Sequence, residues 1–141
     1  MSQTYLLDTD ICISLLRDRH SIKEKIKHEG IDSCAISEIT ILELQYGAIN
    51  SQDPSRHLSE VEKMKSLFQV LLISPAFDLF AHEKVRLQRA GLLVPDFDPL
   101  IGCTALAHSL TVVTNNVKHL NRLQGITIEN WREPKFNEFL K

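Results

Sequence analysis

The hydrophobic residues of this chain form two kinds of pattern that alternate along its length. Short apolar runs of three to five residues, bounded by polar or turn-forming residues, have the length of buried β-strands. Between these runs, apolar residues recur every three or four positions, as on one face of an α-helix. The predicted strands are residues 5–7, 33–36, 70–73, 110–114 and 126–128, and the predicted helices are 10–29, 38–46, 55–68, 76–90 and one that starts at residue 98.

Some of these helices carry specific signals at their ends. Ser37 is a candidate N-cap, and the helix that follows it could end at Gly47 or at Asn50. Gly91 closes the helix of residues 76–90, as a C-terminal glycine commonly does. Because helices and short strands alternate throughout, the sequence predicts an α/β fold with a central parallel β-sheet flanked by helices on both faces.

Size and composition are those of one ordinary globular domain. The 141 residues suffice for one hydrophobic core, and we expect a single domain over residues 1–141. A net charge of −2 gives no global signal for nucleic acid, although positive charge is concentrated between Arg17 and Lys27. Three widely spaced cysteines without a C-x-x-C pair predict buried thiols. With neither a signal peptide nor a bilayer-spanning apolar run, we expect a cytoplasmic protein without a membrane segment.

Acidic residues stand at three places where an apolar element ends or is interrupted. Asp8 and Asp10 follow the first strand, Glu43 lies in the second predicted helix, and Asp96 and Asp98 precede the apolar part of the last one. Carboxylates that meet on an apolar scaffold repel one another, by about 1 kcal/mol per pair in water and about 4 kcal/mol at an effective dielectric of 20. A divalent cation would offset this repulsion, and an all-oxygen ligand set suits Mg²⁺ or Mn²⁺.

Glu43 is the acid whose position is hardest to explain without a function. It adjoins Leu42 and lies within one turn of Ile39 and Tyr46, which together predict a buried apolar stripe. No Lys or Arg lies three or four positions away to form a helical ion pair. A charge beside a buried stripe needs a partner or a metal.

Asp98 has both a structural and a functional interpretation. Because Pro99 follows it, Asp98 predicts a helix N-cap, where backbone N–H groups and the helix dipole favour a carboxylate without any metal. Only its place in the acidic constellation favours a role as a ligand.

Polar residues follow two predicted strands, at the sheet edge where parallel sheets bind ligands. Asp8 and Asp10 follow the first strand, and Thr114, Asn115 and Asn116 follow the strand of residues 110–114. We therefore expect these two groups at the functional edge. Thr114 and Asn116 could support the site or serve as ordinary turn residues.

Four segments together resemble the PIN-domain ribonucleases, and in particular the VapC toxins. The first contains the opening strand and first acid, the second the helix of the second acid, and the third the motif of the third acid. In family order the segments are residues 6–10, 37–47, 96–106 and 110–116, followed by Gly125 and residues 129–131. The resemblance extends from residue 6 to residue 131, so it implies a PIN-like domain for nearly the whole chain.

The resemblance also implies roles for individual residues. The implied catalytic residues are Asp8, Glu43, Asp98 and Asn116, the implied metal ligands are Asp8, Asp98 and Glu43, and the implied supporting residues are Thr9, Asp96 and Thr114. Asn116 stands where many relatives have a fourth acid, so it would bind metal through water or orient another ligand. Asp96 would then supply part of the missing charge.

The activity implied by the resemblance is that of a Mg²⁺-dependent endoribonuclease toxin, with Mn²⁺ as the alternative ion and no organic cofactor. The metal would activate water for attack on a phosphodiester and stabilise the charge that develops on phosphorus. Structured RNA, most often tRNA, is the implied substrate, and the basic stretch of residues 17–27 would contact its backbone. The implied protein partners are a VapB-type antitoxin and a second copy of the chain in a homodimer.

Two other functions fit parts of the sequence. A haloacid-dehalogenase-type phosphatase would use Asp8-Thr9-Asp10 as its D-x-D motif. However, Cys12 replaces the expected Thr or Val, and the later acid pair precedes the threonine-ended strand instead of following it. A non-catalytic PIN-like module that binds only a protein partner is favoured by Asn116, but the presence of three other clustered acids opposes it.

Overall fold

The strands of the computed structural model, which describes residues 3–132, form one sheet. They are β1 (Tyr5–Leu7), β2 (Cys34–Ser37), β3 (Gln69–Leu71), β4 (Thr111–Val113) and β5 (Ile128–Glu129). Over the described residues the strand order is β3-β2-β1-β4-β5, and each neighbouring pair is parallel. The predicted α/β class with a central parallel sheet is therefore confirmed.

Helices occupy most of the connections between strands. The described part of the chain contains seven α-helices: α1 (Thr9–Leu16), α2 (Ile22–Glu29), α3 (Glu38–Ile49), α4 (Pro54–Leu67), α5 (Phe77–Arg89), α6 (Phe97–Ala107) and α7 (Val117–Leu120). Two short 3₁₀ turns lie at Ile31–Ser33 and Ser74–Ala76. Between residues 3 and 132 no helix has the length and apolar character needed to cross a bilayer.

Both faces of the sheet are covered, because successive residues of a strand point to opposite sides. Leu7, Ile36 and Val113 enter a core shared with α1, α2 and α4. Their predecessors in the chain, among them Leu6 and Val112, enter a second core shared with α5, α6 and α7. The predicted helical layers on both faces are therefore confirmed. The three cysteines are free and buried, as predicted.

The strand order places a topological switch point beside β1. From β1 the chain builds β2 and β3 on one side, then crosses to build β4 and β5 on the other. Ligands of open parallel sheets bind beyond the carboxyl ends of the strands at such a point. Asp8 directly follows β1 and Thr114 directly follows β4, so both residues lie at the switch point.

The single helix predicted for residues 10–29 is wrong, because the structure divides it into α1 and α2. Between them, Asp18, His20 and Ser21 have φ angles of 52°, 60° and 55°. A left-handed backbone cannot continue a right-handed helix. Helical spacing nevertheless persists across the break, since isoleucines of both helices enter the same core.

Other predicted boundaries also differ, and two of them matter for the sheet edge and the site. The third strand ends at Leu71, and Leu72 is 60% exposed, so the apolar run extends past the sheet. The prediction of Asp98 as an N-cap is wrong: α6 begins at Phe97, and Asp96 occupies the cap position without a capping hydrogen bond. Asp98 therefore lies in the first turn, where its carboxylate is available to side chains.

The start of α3 is as predicted. The Oγ of Ser37 accepts a hydrogen bond from the backbone N–H of Ile39 at 3.1 Å, which confirms the N-cap. The helix runs through Gly47 to Ile49 and has Asn50 at its C-cap, so the second of the two predicted ends is correct.

Candidate active site

Asp8 lies at the centre of the site, between β1 and α1. It is the N-cap residue of α1, and its Oδ1 accepts a hydrogen bond from the backbone N–H of Thr9 at 2.8 Å. Its Oδ2 accepts one from the hydroxyl of Thr114 at 2.7 Å. This second bond joins the ends of β1 and β4 across the switch point. Asp8 is only 4% exposed.

The environment of Asp8 disfavours its ionised form. Its pKa is raised from 3.8 to about 7, mainly by burial, then by the charge of Asp10 and to a smaller extent by that of Asp98. Hydrogen bonds from Thr114 and Thr9 act in the opposite direction. The contribution of Asp98 indicates that the first and third predicted acids belong to one electrostatic cluster.

Asp98 reaches this cluster through side chains that follow β4. Its Oδ2 accepts a hydrogen bond from the Nδ2 of Asn116 at 2.8 Å, and the Nδ1 of His119 lies 3.0 Å from the same oxygen. The backbone N–H of Asn116 donates to the Oγ1 of Thr114 at 2.9 Å. An unbroken chain of hydrogen bonds therefore runs from Asp8 through Thr114 and Asn116 to Asp98.

Glu43 joins the site through Thr9 on α1. The hydroxyl of Thr9 donates to Oε1 of Glu43 at 2.6 Å and lies 3.0 Å from the hydroxyl of Thr40. The predicted buried stripe is correct only for Ile39, since Leu42 is 49% exposed and Tyr46 is 70% exposed. Apolar residues surround much of α3, so spacing alone did not identify the face that packs inward. Glu43 is half-buried and reaches the cluster from the side of α1.

Asp10 also belongs to the cluster, although the resemblance implied no role for it. Its Oδ2 accepts a hydrogen bond from the backbone N–H of Asn115 at 3.0 Å. Its Oδ1 is buried and has no hydrogen-bond partner among residues 3–132. Burial raises the pKa of Asp10, and the charge of Asp98 adds to this effect.

Asp96, which was predicted to support the site, lies on the surface. It is exposed and forms an ion pair with Lys84, whose Nζ lies 3.0 Å from Oδ1. No described hydrogen bond connects it to the other acids, so the structure does not bring it into the cluster.

His119 contacts Asp98 and Thr40 contacts Thr9, although neither contact was predicted from the sequence. His119 follows Asn116 by three positions, the spacing that places side chains on one side of a helical turn. That spacing was the available signal, but the four-residue helix α7 was too short to be predicted from periodicity. For Thr40 the sequence offers no comparable signal.

Three properties of the cluster test its fit to a divalent cation. Its donors are oxygen atoms, and Asp10 has a buried oxygen without a hydrogen-bond partner among the described residues. The pKa of Asp8 is raised, and a bound cation would lower it by stabilising the ionised carboxylate. As placed, the described residues contain no group of three or more His, Cys, Asp or Glu side chains able to hold an ion together. The site therefore fits a cation by charge and donor type, and a complete ligand set requires side-chain movement.

One family model matches nearly all of the described residues. It is the model of the PIN domain, and it matches residues 5–125. The chain belongs to the PIN-domain family. Its resemblance to that family, inferred above from four segments, is confirmed.

Several VapC proteins are relatives of this PIN-domain chain. It is 34% identical over 129 residues to the tRNA(fMet)-specific endonuclease VapC of Shigella flexneri, a match that covers 90% of this chain and 97% of that protein. The protein of the same name from Salmonella typhimurium is 35% identical with the same coverage. Ribonuclease VapC2 of Rickettsia felis is 30% identical over 133 residues.

Solved VapC folds also match this PIN domain. A structure of DNA-bound VapBC from Salmonella typhimurium matches with a TM-score of 0.85 and 34% identity, covering 92% of this chain and 98% of that one. VapBC2 from Rickettsia felis, bound to a promoter DNA fragment, matches with a TM-score of 0.82 and 27% identity, covering 93% and 99%.

Together these matches assign the chain to the VapC branch of the PIN domains, as an endoribonuclease of the toxin type. The family match excludes the phosphatase alternative. Since the relatives are named as nucleases, they also favour an enzyme over a non-catalytic binding module. Nucleases of this family generally depend on a divalent metal ion.

Proposed function

We propose that this chain is a Mg²⁺-dependent endoribonuclease that cleaves initiator tRNA, tRNA(fMet), with Mn²⁺ as the alternative ion. The observation that supports the proposal most strongly is the hydrogen-bonded chain from Asp8 to Asp98 at the switch point of the sheet. The substrate is inferred from two relatives, 34% and 35% identical, that are named as tRNA(fMet)-specific endonucleases.

In this proposal some residues hold the cation and others orient them. Asp8 and Asp98 hold the cation, and Glu43 completes the ligand set. Asn116 and Thr114 act by orienting Asp98 and Asp8, while Thr9 orients Glu43. The supporting role of Asp96 is the weakest of these assignments, because its carboxylate is paired with Lys84.

When bound, a divalent cation supplies a water of lowered pKa and neutralises charge on the phosphodiester. The protein residues then have two tasks. The carboxylates of Asp8 and Asp98 must be ionised to hold the cation, and the hydroxyl of Thr114 favours the ionised form of Asp8 by donating to it. Glu43, held by the hydroxyl of Thr9, would supply the remaining carboxylate of the ligand set.

The proposal includes a protein partner and a location. A VapB-type antitoxin is inferred from the VapBC structures that match this fold, and a homodimer remains an expectation that light scattering can test. The cytoplasm is the proposed location, which the buried free thiols support because disulfides are rare in that compartment.

Cleavage of labelled tRNA(fMet) by the purified chain tests this function. Reactions contain Mg²⁺ or EDTA and compare the wild type with Asp8→Asn, which is nearly isosteric. Elongator tRNA for methionine, which carries the same amino acid, is the control substrate. We expect a discrete pair of fragments from tRNA(fMet) only, with at least ~100-fold slower cleavage by the variant and none in EDTA.

The outcomes separate the parts of the proposal. Equal cleavage of both tRNAs would contradict the specificity and leave the nuclease. Cleavage that persists in EDTA would contradict the metal requirement. Intact RNA in every reaction, with no Mg²⁺ binding by calorimetry, would contradict the nuclease function.

A further inference from the structure

Positive charge gathers at the turn between α1 and α2, next to the acidic cluster. Arg17 and Arg19 are exposed there. Backbone hydrogen bonds from Arg17 to Ile13 and from Arg19 to Ser14 fix the turn against the end of α1. Left-handed conformations within the turn are costly in residues other than glycine, and they persist where surrounding structure determines them. The two guanidinium groups are therefore presented by an ordered turn.

Two surface cavities meet at these arginines, and each reaches an acid of the active site. The smaller cavity, of about 220 Å³, is lined by Arg17, Arg19, Arg132 and Asp10 together with neighbouring residues. The larger cavity, of about 610 Å³, is lined by the same Arg17 and Arg19 and by Glu43. A polymer strand that occupied both cavities would pass over Arg17 and Arg19 and lie beside Asp10 and Glu43.

The positive charge of this surface is not cancelled by ion pairs. In the part of the chain that the structure describes, no carboxylate oxygen lies within 4.0 Å of a side-chain nitrogen of Arg17, Arg19 or Arg132. Reduced access to water lowers the pKa of His20, and the charges of Arg132 and Arg19 lower it further. Asp10 is the opposing charge in the smaller cavity, and Arg132 lowers its pKa in turn.

We propose that Arg17 and Arg19 bind the phosphodiester backbone of the RNA substrate beside the point of cleavage. The proposal rests on the nuclease function proposed above. Guanidinium groups bind phosphate oxygens in pairs, and such contacts position a nucleic acid without reading its bases. The cavities on either side provide space for the flanking nucleotides. Strand position is thus set by these two arginines, and the acids act on the phosphodiester next to them.

The test measures RNA binding in the absence of cleavage. Full-length protein is titrated into fluorescein-labelled tRNA(fMet) in EDTA, and anisotropy is followed at several NaCl concentrations. The double variant Arg17→Ala/Arg19→Ala is compared with Lys63→Ala/Arg89→Ala, which removes the same charge from exposed positions outside both cavities. A third variant, Arg17→Lys/Arg19→Lys, keeps the charge and removes the paired hydrogen bonds.

The slope of log K for association against log [NaCl] is negative, and we expect its magnitude to fall by about 0.7–0.9 for each phosphate that the protein no longer neutralises, or about 1.5 for the alanine pair. Affinity near 0.1 M salt should fall about tenfold. The control pair should keep the wild-type slope, and the lysine pair should keep the slope with weaker binding. In Mg²⁺, the alanine pair should raise KM for tRNA(fMet) and leave kcat near the wild-type value.

Two results would overturn the proposal. One is a salt slope for the alanine pair equal to that of the wild type. The other is unchanged RNA binding together with weaker binding of the cognate antitoxin, which would assign this surface to the protein partner. If the wild type cleaves tRNA(fMet) and the alanine pair keeps the wild-type salt slope, only the arginine site is refuted. If the wild type does not cleave, the nuclease function is refuted.

Discussion

Asp8 should make the metal-free protein less stable as the pH rises. Its pKa is about 7 in the folded state and 3.8 in the absence of the fold. Between these values the folded state binds more protons than the unfolded state, so the free energy of unfolding decreases with pH. The decrease begins near pH 4, is complete above about pH 7, and does not continue beyond that point.

The magnitude follows from the size of the shift. One pKa unit corresponds to about 1.4 kcal/mol, so a rise from 3.8 to about 7 corresponds to at most about 4 kcal/mol. Allowing for relaxation of the ionised site, we expect about 2–4 kcal/mol (roughly 6–12 °C in Tm for a chain of this length). Asp8→Asn removes the titration and preserves the shape. Its stability should therefore rise by this amount relative to the wild type between pH 4 and pH 8.

Urea unfolding in EDTA at pH 4.5 and pH 8 measures this difference. Asp96→Asn is the matched control, because Asp96 is exposed and its pairing with Lys84 should contribute less than about 1 kcal/mol. At pH 8, Mg²⁺ at 100 times its Kd should restore about 2.7 kcal/mol to the wild type but little to Asp8→Asn. A difference between wild type and Asp8→Asn that is the same at both pH values would refute the argument from buried charge.

Substitutions at three further positions test individual contacts. Thr9→Val removes the hydroxyl that donates to Glu43 at 2.6 Å, so tRNA cleavage should show a kcat reduced at least ~tenfold, with Thr9→Ser near wild type. The Nδ1 of His119 contacts Asp98, and His119→Asn retains a donor near that position, whereas His119→Gln retains one near Nε2. Calorimetry should therefore show ~tenfold weaker Mg²⁺ binding for His119→Gln alone. Equally weakened Mg²⁺ binding in both variants would contradict this role of His119. Gly102→Ala places a methyl group against buried leucine side chains, so urea unfolding should show about 1–2 kcal/mol lower stability despite the higher helix propensity of alanine, and an unchanged midpoint would contradict the close packing.

Much of the fold was predictable because buried parallel strands have a simple pattern. Residues 5–7 and 34–37 are buried on both faces of the sheet, so they appear in the sequence as uninterrupted apolar or small-residue runs. Placement of Asp8 and Thr114 at one edge then follows from the geometry of a parallel sheet. The break between α1 and α2 was not predictable, since its left-handed residues are not glycines and carry no distinctive local signal.

The partners of the acids were harder to predict than the acids themselves. The contact between Thr9 and Glu43 joins residues 34 positions apart, and that between Asn116 and Asp98 joins residues 18 positions apart. Hydrophobic periodicity describes which side of one element is buried, and it contains no information on which polar side chains of different elements meet. The exposed position of Tyr46 illustrates the same limit within a single helix.

Asn116 acquires a different meaning once its contacts are considered. A carboxylate at this position would face Asp98 as a like charge, whereas the amide donates a hydrogen bond to Asp98 at 2.8 Å. His119 contacts the same Oδ2, so two donors hold that oxygen without any cation. The other oxygen of Asp98 is then the one available to a metal. Compared with a carboxylate, an amide at this position thus gives the cluster less negative charge and holds Asp98 by a hydrogen bond, so Asn116 is compatible with the proposed cation site of Asp8 and Asp98.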